Sequence, residues 1–107
     1  MQQQKPTTVL SLLNMVTQDE LKDDEEYEDI CEDIKEECEK YGRVVSIEIP
    51  RPVPGVEVGG IGKVYIEFAA AGDTIRAQNA LAGRKFSNRM VMTSYYDPEM
   101  YHKRQFE

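Results

Sequence analysis

The segment 23–41 combines a regular apolar stripe with a dense acidic surface, and this feature restricts the possible fold most. Its apolar residues recur at helical spacing, namely Tyr27, Ile30, Cys31, Ile34, Cys38 and Tyr41. Asp23 or Asp24 can cap such a helix at its N-terminus, and Gly42 can end it. A helix with a single apolar face must bury that face against another layer of structure. We therefore expect an amphipathic helix packed on a sheet or on other helices.

The rest of the chain predicts the second layer. Strand-like apolar runs occupy 8–15, 44–49, 63–68 and 89–95. A second helix is predicted to open at Gly72-Asp73 and to end at Gly83, with an apolar face of Ile75, Ala77, Ala80 and Leu81. Asp97 followed by Pro98 predicts a short terminal helix. The order strand, helix, strand, strand, helix, strand is that of an α+β, ferredoxin-like (βαββαβ) domain, which we expect over 8–107, with 1–7 as a linker or tail.

Charge is distributed unevenly along the chain. Residues 19–39 hold 13 of the 20 acidic residues and two lysines, so that segment carries −11 and the remainder carries +4. Domains that bind nucleic acid usually present a basic field. A compact negative field suits a basic partner, and the alternative is a merely solvated helix face.

The cysteines and the glycine-rich loop give no sign of a catalytic or metal site. Cys31 and Cys38 are seven residues apart in the predicted helix, about 10 Å along its axis, which is too far for a disulfide. A zinc site would need more ligands, and the only histidine is His102. Gly59-Gly60-Ile61-Gly62 lacks the lysine and hydroxyl ending of a phosphate-binding loop. We expect buried thiols, no cofactor, no enzyme activity and, without an apolar run near 18 residues, no membrane span.

Two stretches resemble the signatures of RNA-recognition motifs, LSLLNM in the first predicted strand and IGKVYIEF in the third. The signatures place aromatic residues at three positions, where this chain has Ser11, Lys63 and Tyr65. Two of the three stacking platforms are therefore missing. Stacking contributes about 1–3 kcal/mol per base, so their loss removes most of the usual affinity for RNA. Binding of single-stranded, pyrimidine-rich RNA through Tyr65 remains the alternative function. We expect Tyr101 or Phe106 of the terminal segment to cover Tyr65.

Three further features resemble one branch of that family, the U2 auxiliary factor homology motif. They are the acidic first helix, the triplet Arg84-Lys85-Phe86 where the family has Arg-X-Phe, and the extra terminal helix. The stretches that carry the resemblance are DDEEYEDICEDIKEECEKYG, SIEIPRPV, GRKFSNR and YYDPEMYHKRQF. Together they cover nearly the whole chain.

The resemblance implies a monomeric, nuclear, protein-binding module of a pre-mRNA splicing factor, and it implies little or no direct RNA binding. Its ligand would be a short basic segment containing one tryptophan. Through the family, the implied partners are the branch-point-binding protein and the large subunit of the splicing factor three b complex.

An acidic line on the first helix is the first part of the candidate site. Asp29, Asp33 and Glu37 lie at successive spacings of four residues, where like charges cost roughly 0.2–0.5 kcal/mol per pair. Asp33 has no basic residue three or four positions away, whereas Glu36 and Lys40 have the spacing of a routine helix pair. By the resemblance, Asp33 and Glu37 contact the basic residues of the ligand.

A tryptophan pocket is the second part. Arg84 can stack on an indole ring and Phe86 can meet the ring edge to face, although Phe86 has a core position as its alternative. We expect Ile30 and Ile34 to form the floor and the small residues Ala77 and Ala80 to leave room between the helices. We also expect Glu37 to pair with Arg84, Lys85 to point to solvent, and His102 to be simply exposed.

Overall fold

Four antiparallel strands form the central sheet of the computed structural model, which describes residues 5–86 and 89–106 and, of Phe86, the backbone alone. These strands are β1 (Val9–Leu13), β2 (Val44–Glu48), β3 (Lys63–Phe68) and β6 (Met92–Tyr96), in the order β2-β3-β1-β6. The remaining elements are α1 (Asp24–Glu39), α2 (Ala71–Leu81), the hairpin β4 (Lys85–Phe86) and β5 (Arg89–Met90), and α3 (Pro98–His102). The predicted α+β, ferredoxin-like fold of the RNA-recognition motif is confirmed.

The first helix begins at the predicted cap but ends at Glu39, three residues before the glycine that was expected to end it. The Asp23 carboxylate accepts a hydrogen bond from the Glu26 backbone N–H at 3.0 Å, which caps α1. The chain turns after Glu39, and a side chain at Gly42 would collide with Asp73 of α2, because a Cβ there would lie 2.2 Å from the Asp73 Cβ. A residue without a side chain therefore lets α2 approach the end of α1 closely.

The core lies between one face of the sheet and the two long helices. Alternate sheet residues such as Leu10, Leu12 and Ile66 are fully buried there, and Ile34 and Cys38 of α1 pack among them. Burial raises the pKa of Cys38 to about 12 and also raises that of Cys31. Both thiols are free and, at neutral pH, protonated. The predicted core position is confirmed for Cys38, whereas Cys31 is only half-buried and packs against the edge of the core.

Two strands differ from their predicted extent. Strand β1 stops at Leu13 rather than continuing to Met15, because Asn14 adopts a left-handed conformation with φ of 71°. The predicted single strand over 89–95 is divided at Val91, whose N–H donates to the Arg84 carbonyl at 2.8 Å. That bond belongs to the β4–β5 hairpin, which the sequence analysis did not predict.

The other face of the sheet is partly covered by residues 98–106, here called the C-terminal strap. Phe106 lies over Tyr65 with ring centroids 4.8 Å apart, and Tyr65 is 0% exposed. This confirms the expected cover of Tyr65. His102 is exposed, but its Nε2 contacts the Glu67 carboxylate, so the prediction of a merely exposed histidine was incomplete. No helix within the described residues is long and apolar enough to cross a membrane.

Candidate functional site

A half-open cavity lies beside the inner edge of α1. Its volume is about 340 Å³, toward the lower end of the roughly 300–1,000 Å³ typical of ligand pockets. The residues that line it are Met15, Glu20, Ile30, Asp33, Ile34, Glu37 and Arg89. The cavity thus combines an apolar floor from α1 with three carboxylates and one guanidinium.

Three neighbouring side chains hold the carboxylate of Glu37. Its carboxylate accepts hydrogen bonds from Arg84 at 2.7 Å, from Lys40 at 2.8 Å and from the Tyr41 hydroxyl at 3.2 Å. The expected pairing of Glu37 with Arg84 is confirmed, whereas the expected pair of Glu36 and Lys40 is wrong. Lys40 instead binds Glu37, three residues earlier, where the carboxylate is already oriented by Arg84.

These contacts stabilise the charged form of Glu37. The hydrogen bond from Lys40 and then that from Arg84 lower the pKa of the Glu37 carboxyl from 4.5 to about 2. Glu37 therefore carries a full negative charge at neutral pH, although its side chain is only 19% exposed. The ion pair joins α1 to the segment that follows α2, although Arg84 itself does not line the cavity.

Asp33 differs from Glu37 in its surroundings. It is exposed and lines the cavity, and no ion pair holds it within the part of the chain that the structure describes. Asp29 is also exposed but does not line the cavity. The structure therefore brings two members of the predicted acidic line, Asp33 and Glu37, together at this site and leaves Asp29 on the outer surface of α1.

The wall opposite α1 was missed by the sequence analysis. Thr17 and Glu20 form a reciprocal capping box, in which the Thr17 N–H donates to Glu20 Oε1 at 2.9 Å. The same carboxylate oxygen lies 3.4 Å from Nη2 of Arg89. The Thr17–Glu20 spacing is that of a capping box, but no local pattern indicates that Glu20 faces Asp33 across a cavity.

The predicted site residues that lie outside α1 differ in whether the structure places them at the cavity. Ala77 is fully buried in the core, Ala80 is half-buried, and neither lines the cavity, so the space is not created by these alanines. Lys85 is exposed, as expected. The side chain of Phe86 lies outside the described part of the structure. Its backbone is paired with that of Arg89, which does line the cavity.

The alternative RNA-binding residue and the possible metal ligands do not form a second site. Tyr65 is fully buried beneath the C-terminal strap and cannot stack on a base in this arrangement. Within the described ranges, no group of three or more His, Cys, Asp or Glu side chains is placed to hold a metal ion.

Comparison with known proteins shows extensive similarity to one segment of longer proteins. A splicing factor U2af large subunit of Oryza sativa subsp. japonica is 44% identical over 103 residues, which are 95% of this chain and 18% of the relative. A splicing factor U2af large subunit of Triticum aestivum is 50% identical over 92 residues, or 85% and 17% of the two chains. The serine/threonine-protein kinase Kist of Homo sapiens is 47% identical over 96 residues, or 90% and 22%. No family model matches the chain.

These relatives share a domain rather than a whole protein. The chain spans about a fifth of the length of each curated relative that it matches. Two of them carry the name of a splicing factor and one that of a kinase. A segment present in proteins of both kinds does not by itself bring the kinase activity of Kist to this chain.

The Glu37 ion pairs predict a specific pH dependence of stability. Because the pKa of Glu37 is about 2 when folded and 4.5 in its ordinary state, its contribution is present above about pH 4.5 and is lost as pH falls towards 2. We expect Glu37→Gln to lower the free energy of unfolding by about 1–2 kcal/mol at pH 7, after screening is allowed for. The difference from the parent should vanish near pH 2.

Urea denaturation at a series of pH values measures this dependence. Glu36→Gln is the matched control, because Glu36 is exposed on the same helix and has the same charge. A constant difference between Glu37→Gln and the parent from pH 7 to pH 2 would contradict the assignment, as would an equal effect of the two substitutions.

Proposed function

Because the chain is homologous over most of its length to a domain of the U2af large subunits, consistent with the U2 auxiliary factor homology motif expected from its sequence, we propose that it is a protein-binding module of a pre-mRNA splicing factor. The proposed ligand is a basic segment that contains one tryptophan. The proposed partners are the branch-point-binding protein and the large subunit of the splicing factor three b complex. Binding would take place in the nucleus, during 3′ splice-site recognition and early spliceosome assembly.

The observation that carries this proposal is the acid-rimmed apolar cavity. Ile30 and Ile34 provide a floor on which an aromatic ring can lose its contact with water, and Asp33 and Glu37 stand at the rim. A ligand with lysine or arginine beside an apolar side chain matches both parts at once. The −11 charge of residues 19–39 adds a long-range attraction for such a ligand.

Within this proposal, Arg84 and Phe86 complete the pocket for the tryptophan. The guanidinium of Arg84 is held by Glu37 at 2.7 Å, so its flat face needs little further ordering when it stacks on an indole ring. Phe86 is proposed to meet the same ring edge to face, a contact worth about 0.5–1.5 kcal/mol beyond burial. Asp29 is proposed to attract ligand charge at longer range rather than by contact.

The burial of Tyr65 counts against the RNA-binding alternative. Stacking of bases requires an exposed aromatic face, and Tyr65 is 0% exposed under Phe106. The two other signature positions are Ser11 and Lys63, neither of which is aromatic. None of the three signature positions therefore presents an exposed aromatic ring, whereas the cavity beside α1 has an acidic rim.

Loss of the tryptophan contact should be the most damaging change to binding. Burial of a tryptophan removes about 150–250 Å² from water, worth about 4–6 kcal/mol at roughly 25 cal/mol per Å² before ordering costs. Exposed charge pairs contribute about 0–1 kcal/mol each. Replacement of the ligand's tryptophan with alanine should therefore weaken binding more than removal of any one of its basic residues, as measured by calorimetric titration.

On the protein, Phe86→Ala should approach the same loss and Arg84→Ala should cost somewhat less. Lys85→Ala is the matched control between them and should bind like the parent, because Lys85 is exposed. Thermal melts must accompany the titrations, since a core role for Phe86 would instead unfold the domain. A folded Phe86→Ala variant that binds the tryptophan peptide as well as the parent does would refute the pocket.

Charge reversal at Asp33 should separate a placed contact from a diffuse field. Asp33→Lys and Glu36→Lys change the net charge equally, but only Asp33 lines the cavity. We expect the Asp33 variant to bind the basic peptide more weakly than the Glu36 variant. Affinity should also fall as salt rises, because exposed charges are screened beyond about 8 Å at physiological ionic strength. Equal losses from the two substitutions would show that the helix acts only through its total charge.

A further inference from the structure

The three carboxylates around the cavity beside α1 differ in what already binds them. Glu37 is bound by three side chains that do not line the cavity. Asp33 has no ion pair within the described residues. Glu20 faces a cation of the lining itself, because its Oε1 lies 3.4 Å from Nη2 of Arg89. Among the described residues that line the cavity, Arg89 is the one cation. The cavity thus already contains a charge of the kind that a basic ligand would bring.

Glu20 is a charged carboxylate whose charge Arg89 partly offsets. Burial raises the pKa of the Glu20 carboxyl, but hydrogen bonds from Thr17 and the charge of Arg89 outweigh it, so the pKa lies below its ordinary value of 4.5. Both members of the pair remain within reach of a ligand, since the Arg89 side chain is 28% exposed and that of Glu20 is 36% exposed. A basic side chain that enters the cavity therefore meets Glu20 already paired.

The β4–β5 hairpin does not depend on this pair for its position. The Val91 N–H donates to the Arg84 carbonyl at 2.8 Å, and the Gly83 N–H donates to the Val91 carbonyl at 3.0 Å. The Asn14 side chain also donates to the Met90 carbonyl at 3.2 Å. Partly exposed ion pairs add little to the stability of a fold. The pair of Arg89 and Glu20 therefore matters more for the charge of the cavity than for the fold.

We propose that Arg89 is a built-in competitor for the basic residues of the ligand. By holding Glu20 it limits the affinity of the cavity for a cation, and it directs that cation to Asp33 and Glu37 on α1. Three carboxylates and one guanidinium give the cavity a formal charge of −2, and loss of the guanidinium would make it −3. This inference rests on the proposed function and adds to it a residue that sets the affinity for the ligand's charge.

The opposite role would make Arg89 an attractive contact, through donation to a carbonyl group of the ligand. The two roles predict changes of opposite sign when the guanidinium is removed. A competitor, once removed, leaves Glu20 available and binding becomes tighter, whereas removal of a donor makes binding weaker. The direction of the change therefore decides between them.

Calorimetric titration with a short acetylated peptide, in which lysine and arginine precede one tryptophan, provides the test. Arg89→Gln should bind this peptide about threefold to fivefold more tightly than the parent at physiological salt, because Glu20 becomes available. Arg89→Lys keeps the charge and should bind like the parent. Lys35→Gln is the control for net charge, since Lys35 is exposed on α1 and does not line the cavity. Its effect should be clearly smaller than that of Arg89→Gln.

Two further measurements show whether Arg89 acts through Glu20. Glu20→Gln preserves the capping box with Thr17, in which glutamine can replace glutamate. The double variant Glu20→Gln/Arg89→Gln should therefore bind like the parent, because a carboxylate and its cation are removed together. Carboxyl titration by nuclear magnetic resonance needs no ligand. In it Arg89→Gln should raise the pKa of Glu20, because the lowering effect of the Arg89 charge is lost, and Lys35→Gln should not.

Three results would overturn the inference: Arg89→Gln binds no more tightly than Lys35→Gln, the double variant binds more tightly than the parent, or the Glu20 pKa is the same with and without Arg89. Each of them leaves the proposed function intact. Failure of the parent to bind the tryptophan peptide would instead refute the proposed function, and this inference with it. Thermal melts of the variants should match that of the parent, because backbone hydrogen bonds hold the hairpin.

Discussion

The ion pair between Glu37 and Arg84 is the contact on which the candidate site depends. It joins residues 47 positions apart in the chain, at a distance of 2.7 Å. Through it the first helix is tied to the segment that leads into the β4–β5 hairpin. Lys40 and Tyr41 hold the same carboxylate from within α1 and its end. Loss of Glu37 would therefore remove one rim charge and the ion pair of Arg84 together, while Arg84 keeps its hydrogen bond to the Tyr41 hydroxyl at 3.3 Å.

The domain separates its charges by face. The apolar stripe of α1 packs on the sheet, which leaves its acids on the outside and around the cavity. On the far side of the sheet the strap pairs Arg104 with Glu48 and places His102 against Glu67.

Local patterns predicted most of the fold. The spacing of apolar residues and the cap at Asp23 located α1, the alternation in β3 gave its bounds, and Asp97-Pro98 located α3. The hairpin was not predictable in the same way, because its strands have two residues each and depend on pairing with the chain around Val91. Short elements of this kind carry too few residues to show a period.

The site was predictable only in part, for a related reason. Ile30, Asp33, Ile34 and Glu37 share one helix face, so their spacing alone placed them together. Met15, Glu20 and Arg89 join them through tertiary packing between distant segments, which no local spacing records. Lys40 pairs with Glu37 rather than with Glu36, and the Glu37 carboxylate is also bound by Arg84 from outside the helix. Helix spacing alone does not record that second contact.

The central claim is that this domain recognises a basic, tryptophan-containing protein segment at the cavity beside α1 rather than RNA on its sheet. Parallel titrations of the isotope-labelled domain with such a peptide and with oligo-uridine, at physiological salt, test it most directly. The account predicts that the peptide shifts the backbone amides of Ile30, Asp33, Glu37 and Arg84, while oligo-uridine leaves the spectrum nearly unchanged. Tight binding of oligo-uridine with shifts in β1 and β3, and none at α1 with the peptide, would contradict it.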